Sequence, residues 1–297
     1  MEPTHTDGPG NGTNGAGTAT LELGRPTGKP VRKDEIVLEE RGLFIESWLP
    51  ERRSRRRPHY YLHGELTGSW LWERYLRFFA QRGWEGHALN LRAHFWSETA
   101  PLEELDLETY VDDAVAGYDA LDRTAVIVGH GMGGLLALRL AELRAVDALV
   151  LISPALPSPV RPEPPPHVVR LVPALFQGEL IEWAGTHEQI QRQNPDLTIA
   201  DVRRIQHMHG AESGNARRQM LAGSPVDRER LPDVPILVIG AGLDRMFPEI
   251  ESARLADWLG AEYQPFGAHS HYGTVIGERS HEQVADSIRS FLERHRL

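Results

Sequence analysis

Short apolar runs recur along the chain, and segments with apolar residues at helical spacing lie between most of them. These runs predict buried strands at residues 59–62, 84–91, 125–128, 148–152, 234–239 and 262–266. Two earlier segments, 35–38 and 43–49, alternate between apolar and polar residues. They predict an antiparallel pair at the edge of the sheet, with a turn at Arg41 and Gly42.

The segments between the strands predict helices that cover the sheet. Apolar residues repeat at helical spacing in residues 109–121, from 135 onward and in the terminal segment 281–296. An earlier helix, with Ser69 as its N-cap, has an apolar face formed by Trp70, Leu71, Tyr75, Leu76 and Phe79. The alternation of strands and helices predicts an α/β fold with a doubly wound, mostly parallel eight-stranded sheet.

Residues 154–232 interrupt this alternation. The interval begins with a proline-rich passage and continues with several helical segments, one of which has a capping-box-like start at Thr198 and Asp201. This composition predicts a helical cap inserted after the sixth strand, which leaves residues 34–153 and 233–297 as the core.

The first 33 residues predict a disordered N-terminal tail, because they are rich in Gly, Thr, Pro and Asn. They lack a basic start followed by an apolar segment, and the chain has no long hydrophobic run. We therefore expect a cytoplasmic protein without a membrane partner.

Composition narrows the functional classes further. The net charge is −10 and no basic block is large enough to follow a phosphate backbone, which argues against nucleic-acid binding. The absence of cysteine excludes disulfides and thiolate zinc sites, and no histidine spacing typical of a metal site occurs. The sequence also lacks a nucleotide fingerprint or phosphate loop, so we expect no metal and no cofactor. A homodimer is compatible with the sequence.

A glycine-rich turn, Gly129-His130-Gly131-Met132-Gly133-Gly134, lies between the strand at 125–128 and the next helix. Reversing a chain within a few residues requires unusual backbone angles and close packing, which glycine allows. The turn resembles the nucleophile elbow, Gly-x-Ser-x-Gly, of the α/β-hydrolase superfamily, with Gly131 at the nucleophile position. Because position 131 has no hydroxyl, thiol or carboxylate, a covalent intermediate at this position is excluded.

The resemblance covers nearly all of residues 35–297 and implies the α/β-hydrolase fold, with the cap closing over the elbow. His63 and Gly64, which end the third strand, match the family's oxyanion-hole His-Gly pair. The resemblance then implies that the backbone N–H groups of Met132 and Glu65 stabilise a developing negative charge.

The resemblance also identifies an acid and a histidine. The run from Gly240 to Pro248 contains the family's Asp-x-x-x-Pro pattern, which makes Asp244 the counterpart of the triad acid, although the glycine spacing before it departs from the family. The loop after the last strand contains two histidines, His269 and His271. The family's usual spacing favours His271, and His269 stays an alternative.

Further residues are candidates for the pocket. Glu65 could act as an acid or base beside the oxyanion hole, or it could point to solvent, as loop glutamates commonly do. His94 and Trp96 lie in the loop after the fourth strand, where we expect Phe95 and Trp96 to pack beneath the cap. His130 precedes the elbow apex, as a histidine does in many relatives, and we expect it to be structural.

Three functions compete. The first is an enzyme that uses a histidine–aspartate pair and an oxyanion hole for non-covalent acid/base chemistry, of lyase, cyclase or elimination type. The second is a serine carboxylesterase-like hydrolase inactivated at its nucleophile, and the third is a non-catalytic protein that binds a small ligand. We favour the first, because the third predicts loss of the Asp and His as well.

The expected substrate is a small apolar molecule of polyketide-like character. Apolar residues of the cap that could line the pocket are Phe176, Ile181, Trp183 and Met220.

Overall fold

A computed structural model describes residues 29–164, 166–181 and 183–297. Residues 1–28 of the predicted tail lie outside the described residues. The first strand begins at Val31, where Val31 pairs with Pro50, so the inclusion of residues 31–33 in the tail is wrong. Backbone pairing with the adjacent strand determines the structure of these residues despite their polar composition.

The predicted doubly wound sheet is confirmed. Its eight strands are β1 (Val31–Leu38), β2 (Leu43–Pro50), β3 (His59–Leu62), β4 (Gly86–Asn90), β5 (Val126–His130), β6 (Ala148–Ile152), β9 (Ile236–Ala241) and β10 (Glu262–Phe266). Two short strands, β7 (Leu175–Gln177) and β8 (Ala211–Ser213), lie outside this sheet. The spatial order is β1-β2-β4-β3-β5-β6-β9-β10. Strands β1 and β2 form the predicted antiparallel edge, and β4, β3, β5, β6, β9 and β10 are parallel to one another.

Helices cover both faces of the sheet, as a parallel sheet requires. In the described part of the chain, the helices of this core are α1 (Glu73–Ala80), α2 (Leu107–Asp119), α3 (Met132–Leu143), α8 (Glu249–Leu259) and α9 (Ser280–Arg294). One buried cluster contains residues of α2, α3 and α8, and a second contains residues of α1 and α9. The central strands β5 and β6 are buried along their whole length between these two layers.

The start of the first helix differs from the prediction. Ser69–Trp72 form a 3-10 turn, and α1 begins only at Glu73, so Ser69 is not its N-cap. The Ser69 hydroxyl instead donates to Glu46 Oε2 over 2.9 Å, and its amide donates to Asn90 Oδ1 over 2.7 Å. The polar atoms of Ser69 therefore fix the turn to the sheet and are not available to cap the helix.

The interval between β6 and β9 contains the inserted segment. Its elements are α4 (Pro166–Arg170), β7 (Leu175–Gln177), α5 (His187–Gln193), α6 (Ile199–Met208), β8 (Ala211–Ser213) and α7 (Gly214–Ala222). The capping box of Thr198 and Asp201 is present at the start of α6. A two-stranded antiparallel sheet of β7 and β8 accompanies the predicted helices, so a purely helical cap is wrong. Three-residue strands are too short to give a recognisable alternation in sequence.

Candidate active site

The turn between β5 and α3 places Gly131 at its apex. Gly131 has φ 56° and ψ −120°, a left-handed φ that residues with a Cβ adopt only at a cost. Its carbonyl accepts hydrogen bonds from the amides of Gly134 (3.0 Å) and Ala155 (2.9 Å). A Cβ at Gly133 would lie 2.1 Å from Leu62 O, so close packing of α3 on β3 requires glycine there.

Asp244 and His271 meet behind this apex. Asp244 follows β9 and His271 follows β10, and His271 Nδ1 lies 2.7 Å from Asp244 Oδ2. The other carboxylate oxygen accepts the amides of Met246 and Phe247, each at 2.8 Å. With its carboxylate fixed in this way, Asp244 orients the His271 ring so that Nδ1 donates and Nε2 is left with a free lone pair.

The free nitrogen of His271 faces position 131. A Cβ on Gly131 would lie 3.4 Å from His271 Nε2 and 3.4 Å from Phe247 Cε2. These are ordinary contact distances, so a side chain at position 131 would fit against the histidine. In this chain the same space is open to a substrate atom.

His269 does not take part in this arrangement. Its Nε2 donates to the carbonyl oxygen of Ser280 over 3.2 Å, and its own carbonyl accepts the Leu243 amide at 2.9 Å. The structure brings His271, and not His269, into contact with Asp244.

His130 packs against the loop that contains His271. It is fully buried, its ring centroid lies 4.1 Å from that of His271, and its Nε2 donates to the His271 carbonyl over 3.1 Å. Burial, aided by His271, lowers the pKa of His130 well below its usual value, so the ring is neutral at pH 7. These contacts agree with a structural role.

Two hydrogen bonds hold His63 in the loop after β3. His63 Nδ1 donates to Gly64 O over 2.8 Å, and His63 Nε2 accepts the Leu91 amide at 3.2 Å. Burial and the neighbouring His94 lower the pKa of His63 to about 3. Among the described residues, the amide of Glu65 in this loop and the amide of Met132 at the start of α3 make no hydrogen bond.

Glu65 is buried at the site, with 3% of its surface exposed, so the expectation that it could point to solvent is wrong. Its Oε2 accepts Arg217 Nη1 at 2.5 Å, while its Oε1 is buried without a hydrogen-bond partner among the described residues. Arg217 lies over the Phe176 ring at 4.0 Å. Burial raises the pKa of Glu65, and Arg217 opposes this rise only in part.

His94 lies in a second buried polar cluster that the sequence does not predict. Its Nε2 contacts Glu212 Oε2 at 3.2 Å, and Tyr110 donates to Glu212 Oε1 over 2.6 Å. Burial acts to raise the pKa of Glu212, but His94 and the hydrogen bonds outweigh it and lower that pKa. The pKa of His94 is raised. Burial acts to lower it, but the charge of Glu212 and its hydrogen bond outweigh burial. No spacing in the sequence connects Glu212 with His94, because the two meet only through the fold.

Phe95 and Trp96 were expected to pack beneath the cap, and this expectation is wrong. Phe95 is 42% exposed and Trp96 is 65% exposed. The two residues instead border a surface cleft of about 780 Å³ that also contacts β1 and α6.

The His271 ring packs against Tyr272, with 5.1 Å between the ring centroids, and Tyr272 in turn contacts two aromatic side chains of the inserted segment. His209 Nε2 and the Tyr272 hydroxyl lie 3.1 Å apart, and the Trp183 ring is 5.2 Å from that of Tyr272. Burial lowers the pKa of His209 to about 4, so its ring is neutral at pH 7. Of these residues the sequence indicated Trp183 alone; Tyr272 adjoins His271 in sequence, which was an available signal.

The described ranges contain no group of three or more His, Asp or Glu side chains that could hold a metal ion. In the same ranges, every helix is too short or too polar to cross a membrane.

Comparisons with known proteins place this geometry in a family. A model of the alpha/beta hydrolase family matches residues 61–287. A bromoperoxidase from Bacillus anthracis superposes with a TM-score of 0.68 at 16% identity, covering 88% of this chain and 100% of that chain. A thermophilic esterase superposes with a TM-score of 0.63 at 18% identity, covering 90% and 99%.

The thioesterase domain from the curacin biosynthetic pathway is similar at a TM-score of 0.59 and 15% identity, covering 89% of this chain and 100% of that chain. A search of curated proteins finds no match. At sequence identities of 15%, 16% and 18%, these structural similarities show a shared fold alone. With the family model spanning most of the chain, the protein belongs to the α/β-hydrolase family.

Proposed function

We propose that this chain is an enzyme that uses His271 and Asp244 for proton transfer without a covalent intermediate. The observation that carries the proposal is the position of His271 Nε2, which faces an apex with no side chain. In a hydrolase of this fold the same nitrogen activates a nucleophile. Here it is free to accept a proton from the substrate itself.

The proposed reaction is a lyase- or cyclase-type step. His271 Nε2 removes a proton adjacent to a carbonyl group, and the electron pair of that bond moves toward the carbonyl oxygen. The free amides of Met132 and Glu65 donate to the oxyanion that forms. When the oxyanion collapses, a bond to the leaving group breaks, and protonated His271 returns its proton to that group.

Glu65 is proposed to assist this step. Its raised pKa makes a protonated carboxyl group accessible nearer to neutral pH than for an exposed glutamate. Its second oxygen has no partner among the described residues and is available to a substrate hydroxyl. Glu65 would thereby supply or accept a second proton beside the oxyanion.

The proposed substrate has an apolar body. Trp183 and Tyr272 offer aromatic surface beside the dyad, and Phe247 adjoins the apex. The residues predicted to line the pocket do not all lie beside the dyad. Met220 is fully buried in the core cluster with residues of α2 and α3.

A base-catalysed elimination tests the proposal without knowledge of the natural substrate. The ring opening of 5-nitrobenzisoxazole removes one C–H proton, breaks the N–O bond and requires no nucleophile. The wild-type protein should accelerate this reaction, and His271→Ala should lose about 10²–10⁴-fold of the acceleration, as for loss of a general base. His269→Ala is the matched control and should retain it. Equal rates for wild type and His271→Ala would contradict the proposal.

A further inference from the structure

The backbone at Leu66, in the loop after β3, has an unusual conformation. Leu66 has φ 65°, in the left-handed region that residues with a Cβ adopt only at a cost, and its side chain is fully buried. Such a conformation persists only where the surrounding structure fixes it, and conformations of this kind are concentrated at functional sites. The contacts that fix Leu66 therefore bear on the site beside it.

The inserted segment holds both backbone polar groups of Leu66. The Leu66 amide donates to Glu212 Oε2 over 3.3 Å, and the Leu66 carbonyl accepts the Gly210 amide at 2.8 Å. Further along the same segment, Arg217 binds the side chain of Glu65. One short stretch of the insertion thus contacts two consecutive residues of the loop.

The peptide groups on either side of Glu65 are held from different directions. A peptide group is planar and trans, so the Glu65 N–H points away from the Gly64 carbonyl. That carbonyl accepts the Thr67 hydroxyl at 2.9 Å, a contact within the loop itself. The next peptide group contains the Leu66 amide, which Glu212 holds. The direction of the Glu65 amide therefore depends on the loop on one side and on the insertion on the other.

Glu212 is itself fixed in position. It is fully buried, and its Oε1 accepts the Tyr110 hydroxyl at 2.6 Å and the Ser213 amide at 2.7 Å. Its Oε2 lies 3.2 Å from His94 Nε2, which donates when the ring is charged. Together with the Leu66 amide, these groups fill the lone-pair sites of a carboxylate. Glu212 thus offers the Leu66 amide an acceptor that cannot turn away.

We propose that Glu212 is a positioning residue for the reaction at His271, because it holds the loop after β3 in the conformation that presents the Glu65 amide to the oxyanion. The inference rests on the proposed function, since it concerns one of the two oxyanion donors named there. Glu212 acts through the Leu66 amide and not on the substrate. Without this contact Leu66 is free to leave its left-handed conformation, and the adjoining peptide groups rotate with it. The Glu65 amide then moves out of the narrow distance range in which an oxyanion donor acts.

Two eliminations with different leaving groups test the inference. In each, the base removes the ring C–H proton, the N–O bond breaks, and the negative charge appears on a phenolate oxygen. Unsubstituted benzisoxazole releases a more basic phenolate than 5-nitrobenzisoxazole does, so it depends more on a donor to that oxygen.

The Glu212→Leu variant replaces the carboxylate by a side chain of similar size without an acceptor. It should lower kcat for unsubstituted benzisoxazole by about 10–10²-fold, less than for complete removal of a donor, because the Glu65 amide is displaced and not removed. The loss for 5-nitrobenzisoxazole should be smaller, and KM should change little for both compounds. A purely structural role of Glu212 would lower the amount of folded protein and reduce both rates by the same factor.

Tyr110→Phe is the matched control, because it removes another hydrogen bond of Glu212 and leaves the Leu66 contact in place. Any loss in this variant should have the same factor for the two compounds. The inference is overturned if Glu212→Leu reduces both rates equally, or if Tyr110→Phe shows the same selectivity as Glu212→Leu.

Amide hydrogen exchange provides a second measurement, which needs neither the variant nor turnover. In the wild-type protein the Leu66 amide should exchange more slowly than the Glu65 amide, since only the Leu66 amide has an acceptor among the described residues. In folded Glu212→Leu this protection should be lost, while the amides of β5 keep theirs. Equal exchange of the two amides in the wild type would overturn the inference. A slow Leu66 amide in a wild-type protein that accelerates neither elimination would refute the proposed function and retain Glu212 as the residue that holds the loop.

Discussion

At position 131 the chain combines a left-handed φ of 56° with a residue that has no side chain. Sequence motifs alone led to Gly131, Asp244 and His271, because loop residues after parallel strands converge at one edge of the sheet. They could not separate His271 from His269 by chemistry, since the decision depends on which ring reaches Asp244. The burial of Glu65 and its pairing with Arg217 also required the fold, as 152 positions separate the two residues.

The Gly131→Ser variant should gain esterase activity toward p-nitrophenyl acetate. A serine Cβ would lie 3.4 Å from His271 Nε2, within reach for its hydroxyl to donate to that nitrogen. The variant should also lose about 1–3 kcal/mol of stability, because a residue with a Cβ adopts this φ with strain. Activity assays and thermal denaturation measure the two effects. A Gly131→Ser protein that folds and stays inert would count against the arrangement of dyad and amides.

Of three variants at the dyad and the loop after β10, His271→Ala should lose the most activity. Asp244→Asn should act in the same direction, because the amide no longer fixes the ring with Nδ1 as donor. His269→Ala should be milder, since its ring contacts the Ser280 carbonyl and not Asp244. Rates of the elimination reaction rank the three variants. A larger loss for His269→Ala than for His271→Ala would reassign the base.

At the scale of elements, strand positions followed from apolar runs, while helix starts were harder to place. Helix α2 begins at Leu107, where Asp106 accepts the Thr109 amide at 2.9 Å, two residues before the predicted segment. Helix α3 begins at Met132, before the apolar residues from 135 onward, because Gly133 and Gly134 in its first turn add no apolar side chain to the pattern. The β7–β8 pair was missed since three-residue strands leave no periodic signal.

Gly133→Ala should destabilise the protein by about 1–3 kcal/mol or prevent folding, as expected for overpacking. The added Cβ would meet backbone atoms of Leu62 and His63, which cannot move aside as a flexible side chain can. Gly267→Ala is a suitable control, because nothing lies within 4 Å of its ideal Cβ position. Denaturant unfolding compares the two variants. Equal stability of both would show that α3 does not pack on β3 as described.

At the scale of the whole molecule, the inserted segment is fastened to the core beside the site. Glu212 of β8 accepts the Leu66 amide at 3.3 Å, next to the free amide of Glu65, and the Gly210 amide donates to Leu66 O over 2.8 Å. On another side, Asp196 accepts the Ser270 amide at 2.8 Å, one residue before His271. The insertion therefore contacts both the loop after β3, which contains Glu65, and the loop after β10, which contains His271.

The contribution of Glu212 to stability should depend on pH. Glu212 has a lowered pKa, so its stabilisation is complete above its ordinary value of 4.5 and is lost as pH falls through the lowered value. His94 has a raised pKa, so its contribution is complete below 6.5 and is lost as pH rises through the raised value. The difference in the free energy of unfolding between wild type and Glu212→Gln should be largest between the ordinary pKa values of the two groups, 4.5 and 6.5. Denaturant titrations across this range measure it.

Glu293→Gln, which changes an exposed carboxylate paired with Arg289, is the control and should show a small effect with little dependence on pH. A Glu212→Gln difference that is flat from acid to alkaline pH would mean that His94 and Glu212 do not form a charged pair.

The proposed function requires a working His271–Asp244 pair that faces an apex without a nucleophile. Labelling by a fluorophosphonate probe, read as intact mass, tests it most directly. Wild type should remain unlabelled, Gly131→Ser should gain one probe per chain, and adding His271→Ala to that variant should abolish labelling. Stoichiometric labelling of the wild-type protein, or a folded Gly131→Ser variant that stays unlabelled, would contradict the account.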